Sequence, residues 1–102
     1  MTGTTDEFVL PFWKIHILHH AAKAPVYGLW LLGELAEHGY RVSPGTLYPL
    51  LARMERDGLL RAESGDHARA RRTYRITPEG RALLRKLRRR IEELHHEVVA
   101  RK

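Results

Sequence analysis

The stretch Ser43-Pro-Gly-Thr-Leu-Tyr-Pro-Leu-Leu-Ala-Arg-Met54, closing at Gly58, constrains the fold more than any other part of the chain. Ser43 suits a helix cap because its hydroxyl accepts from a free backbone N–H. Pro44 fits the first helical position, where its missing N–H has no intrahelical partner to lose. Leu47, Leu50, Leu51 and Met54 recur at i, i+3, i+4 and i+7, so one stripe faces a core. The other face carries Thr46, Tyr48, Pro49, Arg53 and Arg56, and Gly58 supplies the C′ residue. Pro49 removes one helical hydrogen bond and is expected to distort the first turns. A short amphipathic helix with a hydroxyl-rich front and exposed arginines suits a DNA groove.

Charge supports the same direction. Residues 1–40 carry a net −2 and residues 41–102 a net +8, so a basic half is joined to a slightly acidic, apolar half. That asymmetry separates a polyanion-facing side from a packing side. With 102 residues there is room for one core. The absence of cysteine excludes disulfides and thiolate chemistry. No apolar run approaches the roughly 20 residues of a membrane span, and the polar, acidic start Met1–Glu7 is unlike a secretory signal. A cytoplasmic protein is therefore expected. No glycine-rich phosphate loop, activated nucleophile or carboxylate pair in an apolar setting is in view, which argues against an enzyme.

Read in order, residues 1–7 are expected as a disordered tail, and Phe8–Ala22 as a helix with Pro11 in its first turn. Ile15, Leu18 and Ala22 make one apolar stripe; Leu10, Trp13 and Ile17 make a second. Two stripes suggest that a second subunit covers part of the helix. After the break at Ala24-Pro25, a second helix is predicted from Val26 to His38, with Leu29, Leu32, Leu35 and Ala36 at core spacing. Gly39 ends it, and Tyr40-Arg41-Val42 leads into the central helix: helix-turn-helix order. Leu59–Ser64 and Arg72–Thr77 read as two strands around the polar tip 65–71, a basic hairpin or wing whose Arg69, Arg71 and Arg72 suit phosphates or a minor groove. Thr77-Pro78-Glu79 opens a last helix running to about Val99. Leu84, Leu87, Ile91, Leu94 and Val98 form a heptad seam on it, pointing to a dimerisation arm. The run Arg85–Arg90 on its outer faces reads as solvation, with a further phosphate contact as the alternative. The expected architecture is mainly α with a small two-stranded β wing. A winged helix-turn-helix DNA-binding domain (8–77) is followed by a C-terminal dimerisation helix (78–102), with Leu10, Trp13 and Ile17 adding to the dimer interface.

These motifs resemble the PadR family of winged-helix transcriptional regulators. The resemblance rests on Ser43–Leu51, Glu55–Leu60, Arg72-Thr-Tyr-Arg-Ile-Thr-Pro-Glu-Gly80 and Tyr27-Gly28. The overall length is similar to that of the short subgroup, which has a single C-terminal dimerisation helix. It implies a cytoplasmic homodimer that represses genes and releases DNA when an effector appears. It places Thr46, Tyr48 and Pro49 on the recognition helix, beside the candidate contacts Ser43 and Arg53, and Arg69, Arg71 and Arg72 in the wing. The implied target is a pseudo-palindromic operator in double-stranded DNA. The alternatives are a winged-helix module for protein–protein assembly and a non-specific, nucleoid-type DNA binder.

Two effector chemistries are open, and no cofactor is required. His16 and His20 lie at i, i+4, and His16 and His19 at i, i+3, so His16, His19 and His20 place imidazoles where one Zn²⁺-type ion can reach them. Further ligands would come from water, a partner helix, or Glu92, His95 or His96 on the arm. The competing reading is a pocket for a flat aromatic compound lined by Trp13 and Trp30 with Phe12 and Tyr27. Histidines near a helix end are favoured by its dipole, and tryptophans are commonly packing residues, so each set also has a purely structural explanation.

Overall fold

The central stretch folds as the sequence dictates. In the computed structural model, which describes residues 4–63 and 71–100, it forms a helix from Pro44 to Arg56. The order of elements is α1 (Thr4–Lys23), β1 (Val26–Tyr27), α2 (Gly28–Glu37), α3 (Pro44–Arg56), β2 (Leu60–Ala62), β3 (Thr73–Ile76) and α4 (Pro78–His95). A π-helical turn, His96–Ala100, continues α4. Leu47, Leu50, Leu51 and Met54 of α3 are all buried, as their spacing requires. The Ser43 hydroxyl accepts from the Thr46 N–H at 3.2 Å, capping the helix. The helix continues through Pro49.

The second helix and the sheet differ from expectation. Val26 and Tyr27 are not helical; they pair antiparallel with β3, Val26 opposite Tyr74 and Tyr27 opposite Thr73. β3 also pairs with β2, Leu60 opposite Ile76, so the wing belongs to a three-stranded sheet ordered β1-β3-β2 rather than to a two-stranded one. Pro25 keeps the preceding residue from helical geometry, and two residues of strand leave no alternation to read. Helix α2 starts at Gly28 and buries Leu31 and Leu35, whereas Leu29 and Ala36, expected in the core, are exposed. The wing tip, including Arg69, lies outside the described residues.

Helix α1 begins at Thr4, so residues 4–7, expected as a tail, are helical. Pro11 accordingly stands inside the helix rather than in its first turn. The core draws on both of its predicted stripes: Ile17 from one, Leu18 from the other, and Ala21 beside them. These meet Leu31, Leu35, the α3 stripe, Leu60, Tyr74 and Leu84 in one cluster.

Helix α4 is anchored at its start. The Thr77 side chain accepts from the Gly80 N–H at 2.9 Å and donates to the Gly58 carbonyl at 2.5 Å, while the Thr77 N–H donates to the Leu59 carbonyl at 3.1 Å. The cap thus ties α4 to the turn that ends α3, where Gly58 takes φ 83°. Farther along, Arg81 donates to the Ala22 carbonyl at 3.3 Å, holding α4 against α1.

Candidate nucleic-acid interface and effector site

The polar face of α3 is built from below. With its leucines and Met54 packed on the core, Thr46, Pro49, Arg53 and Arg56 are left exposed, and Ser43 is exposed at its head. The Thr46 hydroxyl accepts from the Ser43 hydroxyl at 3.2 Å, so the cap also orients this candidate DNA contact. Tyr48 is half-buried, and Gly28 makes room for it: a Cβ at position 28 would stand 2.4 Å from Tyr48 Cε1. The Tyr27-Gly28 pair thereby serves two ends, extending β3's sheet with one residue and seating the α3 tyrosine with the other. Arg71 and Arg72 are exposed at the approach to β3. Arg75, on β3, is paired with Glu63 across the wing's base.

The family assignment follows from this arrangement and from a match to the family model described as the transcriptional regulator PadR-like family, which spans residues 17–86. The chain belongs to the PadR-like family. It is 57% identical over 94 residues to the transcriptional regulator Rv3488 of Mycobacterium tuberculosis, covering 91% of this chain and 88% of that one. Among solved structures, a PadR-like transcription factor from Bacteroides fragilis superposes with a TM-score of 0.78 at 29% identity, covering 92% of this chain and 93% of that chain. A PadR-like transcriptional regulator from Bacillus cereus gives a TM-score of 0.79 at 27% identity, with 90% and 92% covered. This PadR-like chain is therefore a transcriptional regulator of winged-helix fold. No helix of the described residues is long and apolar enough to cross a membrane.

The residues expected at a dimer interface divide into three groups. Ile17 is 0% exposed and Leu84 2%, both enclosed by their own chain, so neither is available to a partner. Leu10, Trp13 and Leu87 are partly buried against the same core, and the Trp13 indole N–H is itself buried without an acceptor among the described residues. Ile91 and Leu94 remain exposed along α4, and Val98 on the π-helical turn that continues it. Phe8 and Phe12, at i, i+4 on α1, add two exposed aromatic rings, of which Phe8 was not anticipated. An i, i+4 pair of phenylalanines just after a polar stretch of sequence is the signal that could have marked it.

The aromatic pocket is not assembled as expected. Trp30 and Tyr27 line an open cleft of about 400 Å³ with His20, whereas Phe12 lines a separate groove of about 350 Å³ with Ile15, His16, Leu84, Arg88 and Ile91. Trp13 lines neither. The histidines are also re-sorted. His19 turns toward α4, with the Arg88 guanidinium 3.5 Å from its Nδ1. His16 and His20 instead meet His38, at the end of α2, and potential ligand atoms of these three lie within 4.8 Å of one another. Glu34 stands among them, its Oε2 3.3 Å from His20 Nε2 and 3.1 Å from His38 Nε2. Glu34 and His38 form an i, i+4 pair that mirrors His16 and His20. Sequence spacing shows each pair but not that two helices bring the pairs face to face.

Burial pulls the pKa of His16, His19 and His20 below the usual 6.5. Neighbouring positive groups act in the same direction: His38 and His19 on His16, Lys23 and Arg88 on His19, Lys23 and His38 on His20. Glu34 opposes the shift at His16 and His20. A histidine whose folded pKa lies below its unfolded one binds fewer protons in the folded state. The associated stability is complete above pH 6.5 and is lost as pH falls through the lower folded values. The chelator-treated protein is expected to hold a constant melting temperature above neutrality and to lose it progressively below pH 6.5, before most carboxylates titrate. A melting temperature that rises between pH 7 and pH 5.5 would contradict these shifts; circular dichroism melts across that range decide it.

Proposed function

We propose that this PadR-like regulator is a homodimeric repressor that holds a pseudo-palindromic operator and is released by a small effector. The observation that carries the reading is the α3 face, where Leu47, Leu50, Leu51 and Met54 are turned inward and Thr46, Pro49, Arg53 and Arg56 are presented outward beside a seated Tyr48. Such a helix can enter a major groove, and two copies related by a dyad would meet successive grooves about 34 Å apart. The exposed apolar residues of α1 and α4 support the dimer that this spacing requires.

The direct test is fluorescence anisotropy with DNA from upstream of the gene and a scrambled duplex, both at about 0.15 M salt. Preference for the upstream duplex is expected. Equal affinity would identify a nucleoid-type binder, and no affinity for either would favour a protein-assembly module.

The wing makes a separate prediction. Replacing Arg69 and Arg71 together by alanine should weaken binding to both duplexes alike. If each contacts one phosphate, the slope of log K against log salt should flatten by about 1.8, since each contact contributes about 0.9. An unchanged slope would place the wing away from the DNA backbone.

A further inference from the structure

We infer that His16, His20 and His38, with Glu34 as a fourth donor, form a binding site for a divalent ion of the zinc class that clamps α1 to α2. The geometry carries this. At metal–ligand bonds of about 2.0–2.1 Å, tetrahedral donors stand about 3.3 Å apart. Glu34 Oε2 lies 3.3 Å from His20 Nε2 and 3.1 Å from His38 Nε2, already at that separation. The imidazoles, whose ligand atoms lie within 4.8 Å, need to close by about 1.5 Å at most, a shift within reach of rotation about their side-chain bonds. The contacts with Glu34 account for His20 and His38 but not for the approach of His16, whose ring centroid is 4.7 Å from that of His38.

The surroundings fit the same chemistry. Tyr40 meets the His16 ring edge-on at 5.5 Å, and Trp30 meets the His20 ring at 5.2 Å, so aromatic walls flank the donors on two sides. Such walls restrict solvent and fix ring orientation, as the shell around a metal centre does. Three imidazoles and one carboxylate select a zinc-class ion over calcium or magnesium, which take oxygen ligands.

The position of the site gives the ion leverage. Helix α1 packs on α4, which carries the exposed apolar arm, and α2 packs on α3, which carries the polar face. An ion shared by α1 and α2 fixes the angle between those two halves, and hence the spacing of the two α3 helices in a dimer. This consequence rests on the repressor reading above; ion binding itself does not.

The test uses the full-length, chelator-stripped protein. Co²⁺ is titrated while the visible absorption of a four-coordinate centre is followed, and Zn²⁺ is then titrated calorimetrically. One ion per chain is expected. His38→Ala and His16→Ala should each weaken binding by about tenfold or more, since loss of even an outer partner of a ligand has that effect. His38 is exposed, so that variant is expected to keep its fold, with circular dichroism as the check. His19→Ala and the double variant His95→Ala/His96→Ala should retain the parent's affinity and stoichiometry. No ion bound at micromolar concentration, or equal affinity in His38→Ala, would overturn the site. With the upstream duplex present, Zn²⁺ should weaken DNA binding about fivefold or more, reversibly with chelator, and should do nothing to His38→Ala. Ion binding with unchanged DNA affinity would overturn the clamp's role in release. Ion binding by a protein with no affinity for DNA would uphold the site and refute the repressor reading instead.

Discussion

The Gly80→Ala protein is expected to melt about 10–20 °C below the parent. A Cβ at this position would stand 2.4 Å from the Leu59 carbonyl oxygen and 2.7 Å from Ile76 Cγ1. The isoleucine methylene can shift, but the carbonyl is held, because it accepts the Thr77 N–H at 3.1 Å. Relief therefore requires α4 to move away from the turn after α3. That motion also strains the Thr77 cap, which binds the Gly80 N–H and the Gly58 carbonyl. Overpacking of this kind costs about 1–3 kcal/mol, and loss of a helix cap adds about 1. A domain of this size loses roughly 4–8 °C of melting temperature per kcal/mol. Gly33→Ala is the internal control. It lies within α2 with nothing inside 4 Å of its added Cβ, so helix propensity should leave the protein unchanged or slightly more stable. Both melts should be recorded at one protein concentration, because dimerisation would make the midpoint concentration-dependent. A Gly80→Ala midpoint within about 2 °C of the parent's would show that the carbonyl moves freely.

Gly80 also illustrates what sequence can and cannot convey. Thr77-Pro78-Glu79 announces a helix start, because capping is local chemistry between residues three apart. The reason for a glycine next to it is not local: it is the backbone of Leu59, twenty-one residues earlier. The same division runs through the molecule. The α3 stripe was legible because four apolar residues on one helical face have one inside to turn toward. Ile17 and Leu84 were equally legible as buried, but a 3.6-residue period does not say which chain does the burying, and here it is their own. Leu29 satisfied the spacing of α2 yet stands exposed, because the helix turns Gly28, Leu31 and Leu35 to the core, and the spacing of a leucine-rich helix does not say which of its leucines face inward. The histidine group was half legible. His16 and His20 share a helix face by spacing, but His38 and Glu34 join them only through the packing of α1 beside α2, and His19 leaves them for Arg88.

Leu94→Asp is expected to separate the proposed dimer and, with it, the proposed operator binding. Leu94 is 53% exposed between Ile91 and Val98 on the half of α4 that projects beyond the core. Its own chain gains little from burying it, so the change should leave the melting of the monomer nearly intact. In a two-fold interface the substitution acts twice, setting two carboxylates in an apolar seam that offers them no partner. The parent is expected to sediment as a dimer at micromolar concentration and the variant as a monomer. The loss at the DNA should be larger than any single contact explains. In a dimer, the second α3 meets its half-site as an intramolecular event, an advantage of about 10²–10⁴ over separate binding. A monomer forfeits that advantage while keeping Thr46, Tyr48 and Arg53 unchanged. Operator affinity should therefore fall by about 100-fold or more, with affinity for scrambled DNA falling less. A monomeric variant that still binds the operator like the parent would mean that one head suffices, and that the exposed seam of α4 serves another end. A variant that stays dimeric would move the interface off Leu94, leaving Phe8 and Phe12 of α1 as the next surface to alter.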